Sequence, residues 1–393
     1  MENKLYLDYN ATTPCDPIVI DAMIPFFSDD FGNTSSIHHS YGWIAKEAVD
    51  MSTNSIANTL QINPDTVIYT SGATEGINMI LKSFCQKYTP GGNHIITCKT
   101  EHKAVLDACA YMEQYEGVSV TYLDVDSSGI VNLEQLKDAI RPETILVAIM
   151  YANNETGVIQ PIRTIAKIIE NRDIYLFSDA TQALGKIHLD DVFEKVDFAC
   201  FSGHKVYGPK GMGMVYCKEG RASSILRSFI QGGGQQKGWR GGTLNTPGIV
   251  GLAKAIELSY KNLDQEISRL NRLRDLLEEG LLSIDMSYCN GNLSTRLPNT
   301  TNISFAYTNG ADLLRGLSKD MAVSNGSACN AVSDNPSHVL TAMNIDPDLA
   351  FSSLRLSLGK QSSEEGVIKT IEVIRDRINT LRTNNILWER RQH

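Results

Sequence analysis

What most constrains this chain is a rhythm repeated through its middle: a short apolar, β-rich run ends in a polar loop, and an amphipathic helical pattern often follows. TVIYT leads into SGATEG and INMILKSF, HIITCK into TEH and KAVLDACAYM, and TILVAIMY into ANNETG and IRTIAKIIE. IYLFSDATQ, VDFACFSGHK and GMVYC continue the series. Apolar strands without clean polar alternation, separated by helices, predict an α/β fold with a mainly parallel sheet covered on both faces. Ligands of such sheets bind beyond the carboxyl ends of the strands, where these polar loops fall.

From about Gly248 to Leu282 the pattern reads as one long helix. The rhythm then changes to TNISFAY, a helix near ADLLRGLSK, an AVS strand, SLRLSLG and a last helix. Ser362 and Glu365 fit a capping box opening that helix. This is a smaller α+β unit, and 393 residues exceed one typical core. The boundary falls near residue 255.

The net charge of −9 argues against direct nucleic-acid binding, which needs clustered Lys and Arg. MENKLYLDYN lacks a signal-peptide pattern, and no apolar run approaches a membrane span, so the expected location is the cytoplasm, with no membrane partner. The eight cysteines form no C-x-x-C pair and no zinc-site spacing, so no metal is expected. Most read as buried, reduced thiols. Cys329 is the exception, because SNGSACNAV surrounds it with Gly and Ser, unlike a core.

Lys205 lies in FSGHKVYGPKGMG, a glycine-punctuated loop after a strand, where an amine can form a Schiff base with a carbonyl cofactor. Asp179 ends the preceding strand; it reads either as a helix cap or as the carboxylate that pairs with a pyridinium nitrogen. Gln182 lies three residues on. Ala73 and Thr74 in TSGATEG open a helix that could bind a phosphate. His102 in TEH is either a cap or a ring that stacks on an aromatic cofactor. Arg240 and Thr243 in QGGGQQKGWRGGT suggest an anion contact, and Arg355 in SLRLSLG is either a structural ion pair or a carboxylate clamp.

Taken together and in this order, these motifs resemble the pyridoxal-phosphate-dependent cysteine desulfurases. The resemblance runs from LDYNATTP through SGATEG, TEH, ANNETG, SDATQALGK, SGHKVYGPKG, RGGTLN and SNGSAC to SSLRLSLG, nearly the whole chain. The GSAC form is similar to the branch with a long cysteine loop.

The resemblance implies a fold-type-I architecture: a large domain with a mixed seven-stranded sheet (13–255) and a small domain (1–12 and 256–393) carrying the cysteine loop. It implies a homodimer, L-cysteine as substrate and a sulfur-acceptor protein as partner. Lys205 would hold pyridoxal phosphate and move a proton, Asp179 would pair with the ring nitrogen, His102 would stack on the ring and Gln182 would bond its oxygen. Ala73, Thr74, Ser202 and His204 would hold the phosphate, with Thr243 reaching it from the partner subunit. Asn153 and Arg355 would fix the substrate carboxylate. Cys329 would attack the substrate sulfur, leaving a persulfide and alanine. The acceptor would serve iron–sulfur cluster assembly, tRNA thiolation or DNA phosphorothioation. Gly76, Gly203 and Tyr207 depart from the commoner family pattern, and the end at NILWERRQH is shorter than in relatives that serve a cluster scaffold, which suggests one of the specialised roles. A selenocysteine lyase, an aminotransferase of the same fold and a non-enzymatic sulfur carrier remain the alternatives.

Overall fold

A computed structural model describes residues 4–88, 92–325 and 336–392. Twelve strands are described, labelled in chain order: β1 Leu5–Tyr6, β2 Val67–Thr70, β3 His94–Cys98, β4 Ser119–Leu123, β5 Thr144–Ala148, β6 Tyr175–Asp179, β7 Phe198–Ser202, β8 Gly213–Cys217, β9 Ser287–Cys289, β10 Thr300–Phe305, β11 Met321–Ala322 and β12 Ser353–Ser357. The central sheet has seven strands in the order β2-β8-β7-β6-β5-β3-β4. Only β8 runs antiparallel to its neighbours, so the expected mixed, mainly parallel α/β sheet is present.

Burial explains which strands are legible. β3, β5, β6, β7 and β8 are buried at every residue. Successive side chains enter opposite cores, as the two-residue period of a strand requires. Ile96, Val147, Leu176 and Phe201 join one core. Their neighbours Ile95, Leu146, Phe177 and Cys200 join the other. β4, absent from the apolar-run reading, is the half-buried edge strand.

The stretch from Gly248 to Leu282 is not one helix. Thr246–Tyr260 and Leu263–Leu282 are separate helices on either side of Lys261 and Asn262. The first packs on Ser40–Leu60 and the second on Glu364–Thr383. Leu270, Leu273 and Leu277 share a third core with Ile303, Leu354 and Ile374, while the first helix belongs to the sheet's core. The capping box is also displaced by one residue. Ser363, not Ser362, caps Glu364–Thr383 by accepting from the Gly366 N–H, which leaves no glutamate at the third helical position. Ser362 instead accepts from the Gly359 N–H.

The amino-terminal segment crosses from one unit to the other. β1 pairs with β11, and Asp8 bridges Ser357 on β12. The chain then runs under the carboxyl ends of the central strands. No described helix is long and apolar enough to cross a membrane.

The strand ends approach one another closely at Gly213. A Cβ there would lie 2.4 Å from the Phe201 carbonyl oxygen and 2.6 Å from the Gly72 Cα, both backbone atoms that cannot move cheaply. Gly213→Ala is therefore expected to cost about 2 kcal/mol of stability. Thermal unfolding beside the parent checks this, and an unchanged midpoint would contradict it.

Candidate active site

A cavity of about 340 Å³ opens beyond the carboxyl ends of the strands. Its wall brings together Ala73, Thr74, His102, Asp179, Gln182, Ser202, His204, Lys205 and Arg355 from the sequence reading. Asn10, Ala11 and Asn154 also line it. The sequence reading missed these three as site residues.

Each group is placed by the end of a strand or the start of a helix. Ala73 and Thr74 open the helix Ala73–Tyr88, whose first amides have no carbonyl one turn earlier. Ser202, at the end of β7, accepts from the Ala73 N–H at 2.9 Å. Gly72, at φ 154°, keeps the loop slim: a Cβ there would sit 3.1 Å from the Ser202 Oγ. Asp179 ends β6, and its Oδ1 accepts from the Thr181 N–H. His102 caps Lys103–Tyr115 by accepting from the Ala104 N–H at Nδ1, so in the neutral ring the proton sits on Nε2. His102 thus has the capping role, Asp179 closes a turn with no helix directly after it, and both lie on the cavity wall.

Lys205 lies in a short 3-10 turn after β7, and its Nζ donates to the carbonyls of Asn10 at 2.6 Å and Ala11 at 2.7 Å. His204 meets Thr12 Oγ1 at 3.1 Å. Burial, with Lys205 and Lys210 nearby, pushes its imidazole down to about 4, so it is neutral at pH 7. Arg355 on β12 is held by Asp8 at 2.7 Å and donates to the Asn154 carbonyl. Its Nε is buried with no hydrogen-bond partner among the described residues.

Other expectations do not converge here. Asn153 is consumed by its own loop. Its amide NH₂ donates to the Thr100 carbonyl, and its Oδ1 accepts from the Glu155 and Thr156 N–H groups, so Asn154 faces the cavity in its place. Arg240 is spent on Glu75, which it grips through Nε and a terminal nitrogen. Thr243 is exposed and does not line this cavity. Cys329 lies outside the described residues.

The donor set fits pyridoxal phosphate. A primary amine, a buried carboxylate, the start of a helix and an arginine side chain line one space.

Behind the wall, burial pushes the Glu101 carboxyl well above its usual range, and its Oε1 accepts from the Met150 N–H. Burial likewise raises Glu155 to about 7, against the pull of the Ser337 hydroxyl, Arg355 and His102. A carboxyl raised in the fold stabilises fully below its unfolded value and loses that stability as pH rises through its folded value. Glu155→Gln cannot ionise. It is therefore expected to gain on the parent by on the order of 2 kcal/mol between pH 5 and pH 8. Denaturant unfolding at both pH values measures this, and a constant difference would contradict it.

The aminotransferase class-V family model matches residues 5–369. The cysteine desulfurase IscS of Pectobacterium carotovorum subsp. carotovorum (strain PC1) is 45% identical over 391 residues, covering 99% of this chain and 96% of that protein. A solved NifS-like protein superposes with a TM-score of 0.89 at 36% identity, covering 96% of this chain and 100% of that one. The crystal structure of DndA from Streptomyces lividans gives 0.76 at 35%, covering 88% and 97%. Kinship along almost the whole chain and a cavity built for the cofactor agree: this chain belongs to the class-V aminotransferase family, among its cysteine desulfurases.

Proposed function

We propose that this chain takes sulfur from L-cysteine, carries it as a persulfide on Cys329 and passes it to an acceptor protein. The observation that carries the reading is the cavity, which gathers an amine, a carboxylate, an imidazole and a guanidinium at the strand ends. The other thiols support it by exclusion. Burial is the largest influence on the seven described cysteines, and each is raised above its ordinary value. A raised thiol holds little thiolate at neutral pH and makes a poor nucleophile there.

Bound pyridoxal phosphate supplies an electron sink for a carbon bearing an amino group. We assign the amine that holds it, and the proton transfer at the substrate Cα, to Lys205. Asp179 receives the ring nitrogen, His102 stacks on the ring and Gln182 meets its oxygen. Ala73 and Thr74 at the helix start, with Ser202 and His204, hold the phosphate. Arg355 and Asn154 hold the substrate carboxylate, with Asn154 replacing Asn153 for the reason given above. The Cys329 thiolate forms a bond to the substrate sulfur as the Cβ–S bond breaks. The electron pair stays with carbon, which takes a proton and leaves as alanine.

A homodimer belongs to this reading. Ile24, Phe27, Phe31, Ile37, Trp43 and Met51 are large apolar side chains left exposed on neighbouring helices and turns, as a covered interface would require. An exposed Thr243 is free to reach a second copy's site. We divide the molecule into 13–255 and 1–12 with 256–393; the separate third core and the β1–β11 pairing support a second unit, while Ile256 still packs in the sheet's core. We place the enzyme in the cytoplasm, where its thiol chemistry stays reduced. Its acceptor lies among proteins of iron–sulfur assembly, tRNA thiolation or DNA phosphorothioation. Labelled sulfur offered to all three in parallel assigns the route.

Alanine and sulfide released from L-cysteine with a reducing thiol present test the core of the reading. Wild type is expected to release both and Cys329→Ala at least about a hundredfold less. A mutant that keeps most of the activity would mark a lyase or an aminotransferase instead. The same wild-type preparation should sediment at twice the mass of one chain, and a monomer would remove the dimer.

A further inference from the structure

Lys186 is a half-buried lysine for which the desulfurase reading has no role. It lies four residues beyond Gln182, in the turns that follow β6. Its Nζ donates to the Gln182 Oε1 at 2.7 Å and to the Asn10 Oδ1 at 3.1 Å. Both partners are neutral amides, and no described carboxylate pairs with it. Burying an amine without a counter-ion is costly, so the contact it makes warrants a reason.

The reason lies in the Gln182 amide. Its Nε2 donates to the Asn10 carbonyl at 3.0 Å while its Oε1 accepts from Lys186. A flip of the amide would set its oxygen against the Asn10 carbonyl oxygen, a repulsion in place of a bond, and would leave the Lys186 N–H without the Gln182 acceptor. Held in this orientation, Gln182 spends one N–H on Asn10 and keeps the other. On the cavity wall it therefore offers a donor and not an acceptor. The Asn10 carbonyl also receives the Lys205 Nζ, so the lock on Gln182 and the seat of Lys205 share one oxygen.

We propose that Lys186 is a positioning residue that fixes the Gln182 side-chain amide so that it donates to the ring oxygen of the bound cofactor beside Lys205. This rests on the cofactor placement given above. The electrostatics suit the role. Burial, followed by Lys205 and Arg355, drives the Lys186 amine well below the usual lysine range. Arg355 is itself paired with Asp8. On its other side Lys186 borders a second cavity, of about 270 Å³, with Lys261, Glu266 and Lys360 in its wall. There Glu266 is paired with Arg269, and Lys360 with Asp16.

The test is the pH titration of the visible absorption of the bound cofactor in purified holoenzyme. A fixed donor on the ring oxygen lowers the basicity of the adjacent nitrogen held by Lys205. Lys186→Met is therefore expected to raise the midpoint by about half a unit or more, roughly threefold in proton affinity. Gln182→Met is expected to raise it similarly, and the double variant no further than either alone. Lys186→Arg, which keeps a donor, is expected to titrate close to the parent and covers the case in which the methionine variant does not fold. A parent-like midpoint in Lys186→Met overturns the proposal, as does a parent-like midpoint in Gln182→Met. Additive shifts in the double variant overturn it too, because Lys186 would then act by its own charge. Alanine release by the parent, measured separately, keeps these outcomes distinct from failure of the desulfurase reading.

Discussion

Asn10 ties the site to both halves of the molecule. It is 1% exposed, so every polar atom it carries needs a partner. Its N–H donates to the Ser357 hydroxyl on β12, and its amide NH₂ to the Asn154 carbonyl and the Thr300 hydroxyl. Its Oδ1 accepts from Asn299 and Lys186. Its carbonyl holds Lys205 and Gln182. The strand ends, the three-stranded sheet of β10 and β12 and the Lys205 amine are thereby joined through one side chain and one peptide. The amine cannot shift without disturbing a network centred on the buried Asn10.

The charges around that network have a direction. Lys205, Lys186 and Arg355 face the region, and Asp8 pairs with Arg355. Glu101 and Glu155 do not restore the balance at low pH, because burial favours their neutral forms. The site is thus set for an anionic group at the helix start and for a carboxylate at Arg355, and such a group would be welcomed electrostatically before any shape is matched.

The sequence made the sheet legible because its inner strands are buried on both faces, so their apolar runs are unbroken. β4 escaped because an edge strand shares no such run. The helix break at Lys261–Asn262 escaped because the apolar spacing continues across it while its two halves join different cores. The site loops were legible where a motif fixes a residue, as at Lys205, Asp179 and Arg355. They were ambiguous where two like residues adjoin, as at Asn153 and Asn154, where only the hydrogen bonds show which one is spent. Asn10 and Lys186 carry no local signal, since their partners are distant in the chain or meaningful only once Gln182 is placed. Arg240 misled because an arginine among glycines looks like an anion contact until Glu75 is found beside it.

The central claim is that sulfur leaves the substrate onto one particular thiol. The most direct measurement is mass spectrometry of peptides from wild-type protein incubated with L-cysteine, with free thiols and persulfides trapped by alkylation. The account requires one additional sulfur on the peptide containing Cys329 and none on those containing the buried cysteines. Additional sulfur on another cysteine, or on none while alanine accumulates, would contradict it.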